Sequence, residues 1–257
     1  MPRILRQAAR TMGFAALTLG TGVAIYNAVE RAAKPDKPAT RDRWSGAWAR
    51  SLLKLFDIEV VVGGRATKDP ERGRVVVANH RSIIDIAIIL SQFGGCVVAR
   101  GEIERWPVIG KAIAAGGTIF VDRGDKKSGK GAINKMVAHL DEHESISLFP
   151  EGTTFEDDPV RPFRLGGFVA AQRSGSLVLP VGIVYPEGSG AAYGGETFVN
   201  HLSRLAASRR TVAHVEIGAP LELQAGEDAA AFAERCRAEV ERLVGVARQK
   251  SRASGVE

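Results

Sequence analysis

His80 and Asp85, in the stretch V-V-V-A-N-H-R-S-I-I-D, are the two side chains of this chain best suited to acid–base work. A carboxylate that holds one imidazole nitrogen leaves the other to take a proton from a hydroxyl, as in a catalytic triad without its serine. At roughly 100° per residue the pair would lie about 140° apart on one continuous helix. They therefore meet only if a helix begins between them, with Ser82 as its N-cap and Asp85 one turn inside. The other reading of the same residues is a capping histidine beside an acid favoured by the helix dipole.

Three more polar clusters follow apolar runs. Asp122-Arg123 ends the run I-F-V, and a guanidinium at a sheet's carboxyl edge grips a phosphate bidentately; a surface ion pair with Asp122 or Asp125 is the other reading. F-P-E-G-T-T, Phe149 to Thr154, is a turn around one glutamate, with Gly152, Thr153 and Thr154 offering amides and hydroxyls to an anionic oxygen. Glu151 then orients a substrate hydroxyl or balances Arg123. Two cations, Arg161 and Arg164, stand close behind that turn. Leu179-Pro180-Val181-Gly182 places proline inside an apolar strand, which argues for an edge or a bulge. His139 and His143 have metal-ligand spacing but acidic neighbours, which reads as a solvated helix face. His201 and His214 have no identifiable partner.

These clusters need a scaffold. Apolar runs at Ile58–Val62, Val75–Ala78, Cys96–Ala99, Gly117–Val121, Ser145–Phe149, Leu177–Val184 and Thr211–Ile217 read as strands. Helical stretches lie between most of them, from Ile83, from Trp106 to Ala115, from Lys127 to Glu144, from Gly167 to Arg173 and from Asp228 to about Val246. Such alternation gives an α/β domain with a mostly parallel sheet covered by helices on both faces, over residues 58–250. The tail 251–257 is expected to be disordered. Ahead of the domain, segment 11–29 is uncharged and follows Arg3, Arg6 and Arg10; it is near the minimum length for a bilayer span. After the break K-P-D-K-P-A-T, Trp48, Leu52, Leu55 and Phe56 form an apolar stripe with Arg50 and Lys54 at its flanks, suited to a membrane interface. Residues 1–57 thus read as a membrane-attaching helical pair, with a soluble pair packed on the domain as the alternative.

The net charge of +6 and pI near 9.5 call for an anionic partner. Without a zinc-finger spacing or an aromatic-and-basic RNA signature, that partner is anionic lipid or a phosphorylated substrate rather than nucleic acid. Cys96 and Cys236 stand far apart in apolar contexts, as buried thiols of a reducing compartment do.

In this order the four blocks resemble the lysophosphatidic acid acyltransferase family of glycerophospholipid acyltransferases. N-H-x-x-x-x-D is matched by Asn79, His80 and Asp85, the second block by Ile119 to Arg123, and the third by Phe149 to Thr153 with P-F-R-x-G at Pro162 to Gly166. The fourth is V-L-P-V-G at Val178 to Gly182. The resemblance implies acyl transfer from acyl-CoA or acyl carrier protein to a lyso-phospholipid hydroxyl, most simply lysophosphatidic acid, at the cytoplasmic face of the inner or plasma membrane. No cofactor and no metal are implied. His80 would be the general base and Asp85 its orienter; Arg123 with Glu151, Gly152 and Thr153 would bind the acceptor's phosphate. Thr154 stands where many members carry arginine, so either Arg161 or Arg164 compensates or the acceptor is another lyso-lipid, such as a lyso-amino-acid lipid. A non-catalytic lipid-binding or tethering protein is the rival from another class.

Overall fold

The computed structural model describes residues 1–30, 37–65, 72–106, 109–122 and 124–254. Its strands are β1 (Ile58–Gly63), β2 (Arg74–Ala78), β3 (Cys96–Arg100), β4 (Ile119–Val121), β5 (Ser145–Leu148), β6 (Leu177–Val184) and β7 (Thr211–Ile217). Its helices are α1 (Arg3–Glu30), α2 (Lys37–Leu55), α3 (Ile84–Phe93), α4 (Gly101–Glu104), α5 (Ile109–Ala115), α6 (Lys126–Asp141), α7 (Gly166–Ser174), α8 (Phe198–Ala207) and α9 (Ala229–Ala253). The strands form one sheet in the order β1-β7-β6-β2-β5-β3-β4. All pairings are parallel except β6 with β7, which is antiparallel.

The central strand β2 explains the packing. Every residue of β2 is buried, and its alternation sends Val76 and Ala78 to one face and Val75 and Val77 to the other. The first face meets α2, α3 and α8 through Leu52, Phe56, Ile88 and Leu205. The second meets α6, α7 and α9 through Met136, Phe168 and Val240. Burial on both faces is what turns β2 into an unbroken apolar run rather than an alternating one.

Several boundaries differ from expectation. β4 begins at Ile119 because Gly117 takes a positive φ of 83° in the preceding turn. α4 and α8 were not anticipated. α9 runs through Ser251, which is buried, so the chain is ordered helix where a disordered tail was expected; residues 255–257 lie outside the described ones. Pro180 is not at an edge, but the register slips by one residue beside it, with Val178 opposite Leu221 and Val181 opposite Ile217, the irregularity that a bulge brings. Pro180 lies in an interior strand, at the gap between the Val178–Leu221 bridge and the start of the β7 ladder at Val181, where no partner asks for its missing N–H. Gly182 lets α9 settle on the sheet, since a Cβ there would come within 2.6 Å of the Leu243 and Val244 backbone.

The two N-terminal helices pack on each other and on the domain. The apolar stripe of α2 does not face outward: Leu52 and Phe56 are core residues, and Trp48 donates its indole N–H to Thr18 of α1 at 3.1 Å. The interface reading of α2 is therefore corrected. On α1, Arg6 donates to the Ala207 carbonyl at 2.7 Å and Arg10 to the Ser208 carbonyl, so the arginines cap the carboxyl end of α8. The opposite side of α1 carries Ile4, Leu5, Met12, Val23 and Tyr26, all exposed. At 100° per residue these five fall within an arc of about 100°.

Candidate active site

The loop between β2 and α3 carries the histidine, and side chains fix its path. Asn79 replaces a strand ladder: its amide donates to the Ile183 carbonyl at 2.8 Å and accepts the Ile183 N–H at 2.7 Å. This fastens the end of β2 to β6 where the main chain turns away. α3 then starts at Ile84, between the histidine and the aspartate. Its N-cap is Ile83, with no side-chain cap bond. Ser82, one residue earlier, accepts the Ile84 N–H on its hydroxyl at 3.4 Å, as a capping serine does, and the same hydroxyl stands 3.0 Å from His201 Nε2. Asp85 braces the loop from inside the helix, with Oδ2 accepting the N–H groups of Arg81 at 2.7 Å and Ser82 at 2.8 Å.

The same oxygen lies 2.8 Å from His80 Nδ1. A fully buried carboxylate accepts there, so the Nδ1–H donates and Nε2 is the nitrogen left for a ligand. The imidazole stacks on Phe149 with ring centroids 4.1 Å apart, which fixes its plane. His80 lines a cavity of about 460 Å³. The walls are Phe14, Gly22 and Ile25 of α1, Trp48 of α2, Trp106, and Phe198 of α8, so nearly all of them are apolar. Gly152, Thr153 and Thr154 line it beside the histidine.

Glu151, expected to face the substrate, points into the protein instead. Its side chain is fully buried against Arg81, with Oε1 3.0 Å from Nη1. It also accepts the His80 N–H at 2.8 Å and the Arg161 N–H at 3.0 Å. Glu151 is thus the rivet that joins the E-G-T turn to the His80 loop, and the Phe155 N–H to His80 carbonyl bond at 3.0 Å adds a second tie. Gly152 takes φ +85°, with the exposed Arg164 packed over it: a Cβ on Gly152 would come within 2.4 Å of Arg164 Nε. Arg161 pairs with Asp157 at 2.6 Å. Arg123 lies outside the described residues.

Three residues of this neighbourhood gave no usable signal in sequence. Arg81 looked like part of the motif's spacer, Tyr185 like the end of a strand, and His201 lacked a partner. Tyr185 donates to Asp85 Oδ1 at 2.5 Å; His201 is fully buried and meets both Ser82 and Glu196. The only hint was position, since Tyr185 directly follows a strand at the sheet edge that carries His80. His139 takes no part with His143; it bonds Glu144 at 2.9 Å. Cys96 stands near this pair, with its ligand atom within 4.8 Å of theirs. The Arg41 guanidinium, 3.9 Å from Glu144, already supplies the positive charge that an ion would bring.

An imidazole oriented by a buried carboxylate in the lining of an apolar cavity can draw a proton from an alcohol beside a fatty chain. Comparison with known proteins points the same way. The acyltransferase family model matches residues 59–184. The chain is 30% identical over 241 residues to a lyso-ornithine lipid O-acyltransferase of Pseudomonas aeruginosa, covering 91% of each chain. It is 32% identical to a 1-acyl-sn-glycerol-3-phosphate acyltransferase of Neisseria gonorrhoeae, covering 60% of each. The crystal structure of the 1-acyl-sn-glycerophosphate (LPA) acyltransferase from Thermotoga maritima shares the fold, with TM-score 0.71, 21% identity, and coverage of 96% of this chain and 98% of that one. On this footing the chain belongs to the lysophosphatidic acid acyltransferase family and is an acyltransferase of lyso-lipids.

Proposed function

We propose that the enzyme moves a fatty acyl group from an acyl thioester, acyl-CoA or acyl carrier protein, to a lyso-lipid hydroxyl, with His80 as general base. The observation that carries this reading is the His80–Asp85 bond beside the apolar cavity that His80 lines. His80 Nε2 takes the acceptor's hydroxyl proton as the oxygen attacks the thioester carbonyl. The tetrahedral intermediate then collapses, the carbon–sulfur bond breaks, and the imidazolium returns the proton to the thiolate. Thr153 and Thr154 line the cavity beside His80 and are the donors at hand for the oxyanion. The acyl chain occupies the cavity between α1, α2 and the sheet.

For the acceptor we favour a lyso-amino-acid lipid such as lyso-ornithine lipid. Thr154 supports this, standing where many phosphate-handling members carry arginine, as does the near full-length match to the Pseudomonas enzyme. Lysophosphatidic acid is the second reading; the Neisseria relative and Arg164, packed over Gly152 of the E-G-T turn, favour it. Attachment is by α1 lying in the cytoplasmic face of the membrane. Its arginine side is fastened to α8, and its outer stripe is apolar along its whole length, which suits embedding better than spanning.

The test is turnover of purified enzyme with labelled acyl-CoA or acyl carrier protein and a panel of lyso-lipids including both acceptors. His80→Ala should lose about 10²- to 10⁴-fold in kcat while remaining folded. Substantial turnover by that variant refutes the base assignment, and a preference for lysophosphatidic acid refutes the amino-acid-lipid reading.

A further inference from the structure

Behind His80 and Asp85 a line of polar groups runs inward that the acyl-transfer steps leave unused. Tyr185, the first residue beyond β6, is 4% exposed and donates to Asp85 Oδ1 at 2.5 Å. The Ser82 hydroxyl lies close enough to the same phenol to favour its ionised form and stands 3.0 Å from His201 Nε2. His201 Nδ1 is in turn 2.8 Å from Glu196. Glu196 is ion-paired with Arg204, and both line a second, polar cavity that also reaches Tyr185.

Ser82, His201 and Glu196 have the hydrogen-bond order of an activated serine nucleophile. Ser82 is fully buried and lines neither cavity, so no carbonyl can approach it. What the line does reach is Asp85. A carboxylate without solvent contact depends on protein donors for its hydrogen bonds. Oδ2 has three donors, His80 and two main-chain N–H groups; Oδ1 has the Tyr185 hydroxyl. Removing that hydroxyl leaves Oδ1 bare in the core, and the carboxylate is then held from one side alone. Burial pushes the phenol's own pKa well above 10, so it remains a donor across the working range.

We propose that Tyr185 is a positioning residue for acyl transfer, holding Asp85 Oδ1 so that Oδ2 stays aimed at His80, and that His201 acts through Ser82 to orient the Tyr185 hydroxyl. The assignment rests on the reading of His80 as the base.

The experiment compares full-length wild type, Tyr185→Phe, His201→Asn, their double variant and His80→Ala, with kcat and KM for acyl-CoA and lyso-lipid and a thermal midpoint for each. Phenylalanine keeps the ring, so packing is retained. Tyr185→Phe should lower kcat roughly 10- to 100-fold, the worth of a hydrogen bond to a charged group. Both KM values should stay within about twofold, as for an interaction that serves the transition state. His201→Asn should lower kcat less, and the double variant should be no slower than Tyr185→Phe alone, because His201 acts only through that hydroxyl. If His201→Asn fails to fold, Ser82→Ala breaks the same line at a smaller residue and should reproduce its effect. Wild-type kcat in Tyr185→Phe beside an inactive His80→Ala overturns the proposal and leaves the base reading standing. Losses that multiply in the double variant overturn the role of His201. An active His80→Ala overturns the base reading itself.

Discussion

Replacing Glu151 with glutamine separates a rivet from a substrate ligand. The native carboxylate faces the Arg81 guanidinium with both side chains almost fully buried and accepts two main-chain N–H groups as well. Glutamine keeps the shape and loses the charge, and its amide –NH₂ must point at one of the donors that the second oxygen served. Removing one partner of a buried ion pair costs about 3–5 kcal/mol. Arg81 still has the carbonyls of His80 and Asp158, each at 3.0 Å, so the lower end, about 3 kcal/mol, applies. For a chain of this size about 2–4 °C is lost per kcal/mol, which puts the fall in Tm at roughly 6–12 °C. Differential scanning calorimetry on full-length protein reads it directly, with kcat and acceptor KM measured on the same preparation. If Glu151→Gln keeps its Tm and loses only acceptor affinity, the residue faces substrate and the rivet argument is wrong.

Gly22 of α1 meets α5 so closely that a Cβ would lie 2.7 Å from Ala112 Cα; Gly22→Val should cost about 1–3 kcal/mol by overpacking and shift the preferred acyl length, as read by competition in a chain-length series of acyl-CoAs. Burial pushes the thiols of Cys96 and Cys236 up to about 12, so DTNB at pH 8 should label neither in the native protein and both in denaturant. Glu196 is held down to about 2, chiefly by its hydrogen bond from Arg204. Its folded form therefore binds fewer protons than its unfolded form. The stability it contributes is present above pH 4.5 and is lost as pH falls toward 2. A Glu196→Gln variant should show a flatter dependence of Tm on pH across that window; an unchanged slope would refute the pairing.

What the sequence disclosed follows the range of each interaction. The meeting of His80 and Asp85 could be read because a five-residue spacing and one helix start decide it locally. The parallel centre was legible for the same reason, since β-branched runs alternate with helical stretches. The direction of β7 was not, because a seven-residue apolar strand reads alike in either sense. α8 carries Phe198, Leu202, Leu205 and Ala206 on one face, yet it is short and mixed with Asn200, Ser203 and Arg204, which hid its period. Glu151 looked like a substrate ligand because its partner Arg81 lies 70 residues away and lent no local sign of burial. Tyr185 and His201 were opaque on the same ground. Trp48 misled because an aromatic with basic flanks fits a lipid interface and a helix-covered cavity equally well.

The shared wall of the acyl compartment has a practical corollary. α1 lines the cavity with Phe14, Gly22 and Ile25 and turns its other side outward with Ile4, Met12 and Val23. One helix diameter, about 10 Å, is all that separates the apolar cavity from whatever touches that outer side. Trimming the first thirty residues to obtain a more tractable protein would therefore unroof the compartment, and detergents that compete for the outer stripe become, in effect, reagents that act on the binding chamber itself.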